Sequence, residues 1–106
     1  PMELTIDSKR EGSRVTLSVH GEVDVSCADV LRDAIDQALS ADATDVVCDL
    51  ADVPYIDSTG IGVLVGAAHR ASEADVTLEV ARPQHNVSRV LTLLGVGAEL
   101  NVRDAQ

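Results

Sequence analysis

The run Val53-Pro54-Tyr55-Ile56-Asp57-Ser58-Thr59-Gly60-Ile61-Gly62-Val63-Leu64 holds a carboxylate beside two adjacent hydroxyls, followed by two glycines at the start of an apolar stretch. A serine that opens a helix lies among backbone N–H groups with no intrahelical partner, at the positive end of the helix dipole. A dianion is tolerated there. Ser58 could therefore accept a phosphate without unfolding the helix. Gly60 and Gly62 leave the first helical turn without side chains, so the backbone of a second protein, or a kinase cleft, can approach Ser58 closely. Each glycine lowers helix stability by about 1 kcal/mol relative to alanine, so something other than helix stability must account for them.

Helical phase adds a second feature. Setting Ile61 inward brings Leu64, Val65 and Ala68 with it and leaves Thr59, Val63, Gly66 and Arg70 outside. Val63, Gly66 and Ala67 then read as a smooth, weakly apolar strip beside Ser58, of the kind a partner covers. Local physics also admits a plainer account, in which Ser58 only caps the helix, the glycines ease packing and Val63 is one more exposed valine. Capping serines are common, so on local physics alone the plainer account is favoured.

Other chemistries find no support. His20, His69 and His85 are widely spaced and form no ligand pattern, so no metal site is expected and all three read as surface residues. Cys27 reads as a small residue packed at a helix start more readily than as a reactive thiol, and Cys48 as core. With no Cys-x-x-Cys pair, both are expected to be free thiols in a reducing compartment. There is no phosphate-binding Gly-x-x-x-x-Gly-Lys loop, no Gly-x-Ser-x-Gly elbow and no histidine partner for Ser58, so neither a cofactor nor catalysis is expected. A phosphoaspartate receiver would need a late lysine, whereas the only lysine is Lys9.

The elements that must position Ser58 follow from periodicity. Leu4 and Ile6, then Val15, Leu17 and Val19, alternate with polar residues on either side of a turn at 9–13, which predicts a hairpin. Ser26 and Asp29 read as a capping box opening a helix whose apolar stripe is Val30, Leu31, Ala34, Ile35, Ala38 and Leu39. Residues 45–50 predict a central strand, and a second helix runs from Ser58, as its N-cap, to about Ala71. Val76, Leu78 and Val80 predict a fourth strand, Val87 to Leu94 a third helix ended by Gly95, and Leu100 with Val102 a last strand. The order β-β-α-β-α-β-α-β gives an α/β fold: a mixed sheet of four to five strands, an opening hairpin then parallel strands. Strict alternation in the second and fourth strands places the helices mainly on one face.

A length of 106 residues fits one domain, expected over 2–106, with Pro1 read as a remnant of tag cleavage. Hydrophobic residues make up 45% and Tyr55 is the sole aromatic, so the core must be aliphatic. A net charge of −10 repels nucleic acid and anionic membranes and favours a neutral or basic protein partner. With no basic, apolar leader and no apolar run near 20 residues, the expected location is cytoplasmic.

Asp57-Ser58-Thr59-Gly60-Ile61-Gly62-Val63-Leu64 closely resembles the phosphorylation-site signature of STAS domains, the sulfate transporter and anti-sigma factor antagonist family. Gly21-Glu22-Val23-Asp24 resembles the same family's other recurrent motif, and the spacing and element order agree over almost the whole chain. The resemblance implies a STAS-like domain of the antagonist branch. Its unphosphorylated form would bind an anti-sigma factor that is also a serine kinase, releasing a sigma factor; phosphorylation of Ser58 would end that binding and a serine phosphatase would restore it. It also implies that Asp24 and Asp57 flank the phosphorylation site, with a local turn bond as the equal alternative for Asp24. The resemblance makes Ser58 the phosphoryl acceptor, with Thr59, whose hydroxyl can accept one too, as the lesser alternative. Taken with the glycines and the helix face read above, the expected partner-binding set is Asp24, Asp57, Ser58, Thr59, Gly60, Gly62, Val63 and Gly66. The other function compatible with the family is an unphosphorylated accessory or scaffold module of a transporter or larger signalling complex. A C-terminal fourth helix, present in many relatives, is expected to be short or missing after the last strand, and self-association stays open.

Overall fold

Alternating polarity at the start of the chain becomes an antiparallel hairpin of β1 (Thr5–Glu11) and β2 (Arg14–His20) in the computed structural model, which describes residues 3–103. Pro1, both ends of the expected 2–106 span and any segment after the last strand lie outside the described residues. The turn is tighter than 9–13. Glu11 pairs with Arg14, leaving Gly12 and Ser13 to reverse the chain, with Gly12 at φ +63°. A glycine of positive φ in the first central position suits a two-residue hairpin turn, so β1 keeps its pairing to Glu11.

Helix α1 (Ala28–Leu39) buries Ala28, Leu31, Ile35 and Ala38, and leaves Val30 exposed. The expected capping box does not form. Cys27 holds the N-cap position with no side-chain cap bond, and the Ser26 hydroxyl donates instead to the Asp24 carboxylate two residues upstream. A nearby carboxylate accepts from both the Ser26 amide and hydroxyl, and this local turn wins over capping.

Then follow β3 (Asp45–Asp52), α2 (Ser58–Glu73), β4 (Thr77–Ala81), α3 (His85–Leu93) and the short β5 (Val102–Arg103). The sheet order is β1-β2-β3-β4-β5, with β3 central as expected and every pair after the hairpin parallel. Strand order never reverses, so successive right-handed crossovers lay their helices on the same face. On that face Val15, Leu17, Val19, Val46, Cys48, Leu50, Leu78 and Val80 meet Leu31, Ile35, Leu64, Val87 and Leu91 in a core that holds no aromatic side chain. The opposite face carries half-exposed Thr16, Ser18, Asp49 and Glu79, with Arg82 paired to Asp49 and Arg103 to Glu79. Water covers it. Among the described residues no helix is long and apolar enough to cross a membrane.

Gly21 ends β2 at φ +114°, where an added Cβ would lie 2.9 Å from the Glu3 carbonyl oxygen. Only glycine fits that close approach, which directs the chain into the 22–27 loop beside the carboxyl end of β3.

Candidate functional site

Chain leaving β3 is held in place before it reaches α2. Val23 and Ile56 form an isolated parallel bridge: the Val23 N–H donates to the Tyr55 carbonyl at 2.9 Å, and the Asp57 N–H to the Val23 carbonyl at 3.0 Å. From the start of α3, Gln84 Nε2 donates to the Ala51 carbonyl at 2.9 Å and Asn86 Nδ2 to the Pro54 carbonyl at 2.8 Å. Nothing in the local pattern near Ser58 signals Gln84 or Asn86, because their partners lie more than thirty residues upstream.

Asp57, not Ser58, caps α2. Its Oδ1 accepts from the Gly60 N–H at 3.0 Å and its Oδ2 from the Val25 N–H at 3.0 Å. A carboxylate has two acceptor oxygens and satisfies both loops at once, which a hydroxyl in this place would not. Ser58 is displaced by one position to become the first helical residue, and both it and Thr59 are exposed. The displacement frees the Ser58 hydroxyl from capping while keeping it at the positive helix end.

Asp24 lies in the loop that Val25 ties to Asp57. Its Oδ1 accepts from the Ser26 hydroxyl and, at 2.9 Å, from the Ser26 amide. The hydroxyl first, then the amide, hold the carboxyl below its ordinary value of 3.8. Here the turn bond is formed, in a loop that also adjoins the Ser58 site. A surface cavity of about 500 Å³ opens beside it, lined by Glu3, Leu4, Glu22, Asp24, Ser26, Cys27 and Val30.

The two glycines separate by cause. Gly60 is buried, and an added Cβ would lie 2.6 Å from Val23 Cγ1 and 2.8 Å from Ile56 Cγ1, so packing alone explains it. Around Gly62 an added Cβ would meet nothing within 4 Å. Its missing side chain is not a packing requirement.

Ile61 and Leu64 are buried as the helical phase requires, but Val65 and Ala68, set inward by the same phase, are only half-buried. The expected outer strip is only partly outside. Val63 and Gly66 are half-buried, Val63 packing against the core, and Ala67 is fully buried. The buried side of α2 is centred on Gly60, Leu64, Ala67 and Ala71 and so is turned away from a face centred on Ile61, and α1 packs alongside, its Asp36 accepting from Arg70 Nη2 at 2.7 Å. Periodicity gives the inward face of a helix but not the position of a neighbouring helix. In exchange, the site gains two exposed apolar residues that periodicity did not single out, Val25 and Tyr55. The one available signal was Tyr55 itself, the single aromatic in an aliphatic chain.

Cys48 is fully buried and burial pushes its thiol up to about 12, whereas Cys27 is half-buried with Sγ 3.4 Å from the Glu22 carbonyl. His20 sits between Asp7 and Asp52, and His69 is paired with Glu99. No group of three or more His, Cys, Asp or Glu able to hold a metal ion occurs among the described residues.

Comparison with known proteins places this geometry among relatives. A family model described as "Mlab, STAS domain" matches residues 6–102. The chain is 30% identical over 95 residues to the anti-sigma-B factor antagonist of Bacillus subtilis, covering 90% of this chain and 86% of that one. In three dimensions it is similar to an anti-sigma factor antagonist from Mycobacterium paratuberculosis, with a TM-score of 0.87 and 20% identity over 97% of this chain and 87% of that one. It is also similar to the phosphorylated form of the Bacillus cell fate determinant SpoIIAA, with a TM-score of 0.74 and 18% identity over 96% and 92% of the two chains.

Proposed function

The chain belongs to the STAS domain family, and on that premise we propose that it is an anti-sigma factor antagonist, a cytoplasmic binding protein switched by phosphorylation of Ser58. Unphosphorylated, it binds an anti-sigma factor with serine kinase activity and so releases a sigma factor. Phosphorylated, it lets go until a serine phosphatase resets it. The observation that carries this reading is the placement of Ser58: an exposed hydroxyl at the first position of α2, relieved of capping by Asp57, in a chain 30% identical to an anti-sigma-B factor antagonist.

The chemistry is consistent. Unpartnered amides and the dipole of α2 offset part of the repulsion between a new phosphate and Asp57, whose two oxygens already accept from Gly60 and Val25. The fold therefore tolerates the modification, while a partner surface shaped for a small hydroxyl does not, because a desolvated and uncompensated dianion costs several kcal/mol. Partner contact is assigned to Asp24, Asp57, Ser58, Thr59, Gly62 and the exposed part of Val63, with Gly60 and Gly66 shaping the helix beneath.

Incubation with ATP and candidate anti-sigma kinases from the same genome, followed by mass spectrometry, tests the proposal. One added phosphate on Ser58, absent from Ser58→Ala and retained in Thr59→Ala, is the expected result. No phosphate with any such kinase would leave the chain in the class of unphosphorylated accessory modules.

A further inference from the structure

We propose that Tyr55 and Val25 are the apolar anchors by which the anti-sigma factor grips this protein, and that the partner meets them with an apolar recess edged by lysine or arginine. This rests on the antagonist reading and adds to it anchoring residues that lie outside the Asp-Ser-Thr-Gly stretch.

Tyr55 is the chain's single aromatic, yet it is 49% exposed, and Val25 is 72% exposed. Tyr55 stands on the extended segment that leads into α2, and Val25 on the turn beside it that is tied to Asp57. Both segments are fixed. The Val23 N–H holds the Tyr55 carbonyl, the Asp57 N–H holds the Val23 carbonyl, the Asp57 carboxylate holds the Val25 N–H, and Asn86 holds the Pro54 carbonyl. Exposed apolar side chains on a backbone that folding has already ordered lose little further conformational entropy on binding. Tyrosine is also among the residue types that dominate binding hot spots.

Charge identifies the occupant. Glu22, Asp24 and Asp57 lie on the same two segments, Glu3 borders the adjoining cavity, and neither 21–31 nor 51–69 contains a lysine or arginine. Apolar anchors set in a field of one sign select a partner whose apolar surface is ringed by cations and disfavour an acidic one. Affinity then resides mainly in the anchors, and timing in the charge state of Ser58.

The test is titration calorimetry of the purified cognate anti-sigma kinase against wild type, Tyr55→Ala, Val25→Ser and, as control, Leu93→Ser. Leu93 is equally exposed, at 76%, but at the C-terminal end of α3, whereas the N-terminal end of that helix holds the site loop. Each anchor variant is expected to weaken binding about tenfold or more, with the control within about twofold. Added salt should weaken wild-type binding. Thermal melts monitor folding, and the near-isosteric Val25→Thr replaces Val25→Ser if the latter is unstable. Anchor variants that bind like wild type would overturn the inference while leaving the Ser58 switch standing. If the kinase neither binds nor phosphorylates wild type, the antagonist reading falls, and this one with it.

Discussion

The amide of Val25 donates to the carboxylate of Asp57 at 3.0 Å, so the residue ahead of Ser58 ties the β2–α1 loop to the first turn of α2. Removing that carboxylate in Asp57→Ala takes away a helix cap and a charge-assisted hydrogen bond together. The expected loss is about 2 kcal/mol, measured by urea denaturation. Asp57→Asn, which retains one acceptor oxygen, should lose less. Wild-type stability in Asp57→Ala would mean that neither bond holds the two loops together.

Gly60 and Gly62 should respond to alanine with opposite signs. Gly60→Ala pushes a methyl into Val23 and Ile56, and should destabilise by roughly 1–3 kcal/mol as those side chains are forced aside. Gly62→Ala points into open space and should stabilise the isolated protein by up to about 1 kcal/mol. On the proposed function the same Gly62→Ala weakens binding to the anti-sigma factor. Thermal melts and calorimetry on the pair of variants check both halves.

Charge at Ser58 should act on binding and spare folding. Phosphorylation adds about −1.5 to −2 charges at pH 7. The helix dipole returns roughly 0.3–1 kcal/mol of the repulsion, so the isolated fold survives. A penalty of roughly 3–4 kcal/mol in the complex lowers affinity several-hundred-fold. Ser58→Ala is therefore expected to bind and to resist inactivation, and Ser58→Asp to bind poorly while melting near the wild-type temperature. An Ser58→Asp variant that binds as tightly as wild type would remove charge from the explanation.

The lowered pKa of Asp24 gives a pH dependence of definite sign. A carboxyl held below 3.8 in the folded state contributes stability that is present above that value and lost as pH falls through the lower, folded one. Melting temperature should therefore fall as pH drops below 3.8, and by less in Asp24→Asn. Equal losses in the two proteins would show that the Ser26 bonds carry no linked stability.

The two thiols should differ in reactivity. With its pKa near 12 and no exposed surface, Cys48 stays protonated and protected at pH 8, while half-buried Cys27 is reachable. A thiol reagent should modify one cysteine per native chain and two in urea, with Cys27→Ser abolishing the native reaction.

Sequence alone determined the element order, the aliphatic core, the central strand and a hydroxyl at the mouth of α2, because alternation and helical spacing are local records of which face meets the core. The paired STAS motifs were legible in the same way, being contiguous. Tertiary structure decided what depends on residues distant in the chain. Val25 lies thirty-two residues before Asp57, and its amide, brought within hydrogen-bond reach by the Val23–Ile56 pairing, takes the second oxygen of the carboxylate whose first oxygen caps the helix through Gly60. The docking of α2 turned Ala67 from an expected surface residue into a buried one, and the proximity of Val23 and Ile56 made Gly60 a packing requirement while Gly62 stayed open. Helical phase fixes direction from a single axis. What lies in that direction is set by another part of the chain, and no periodicity within one segment contains it.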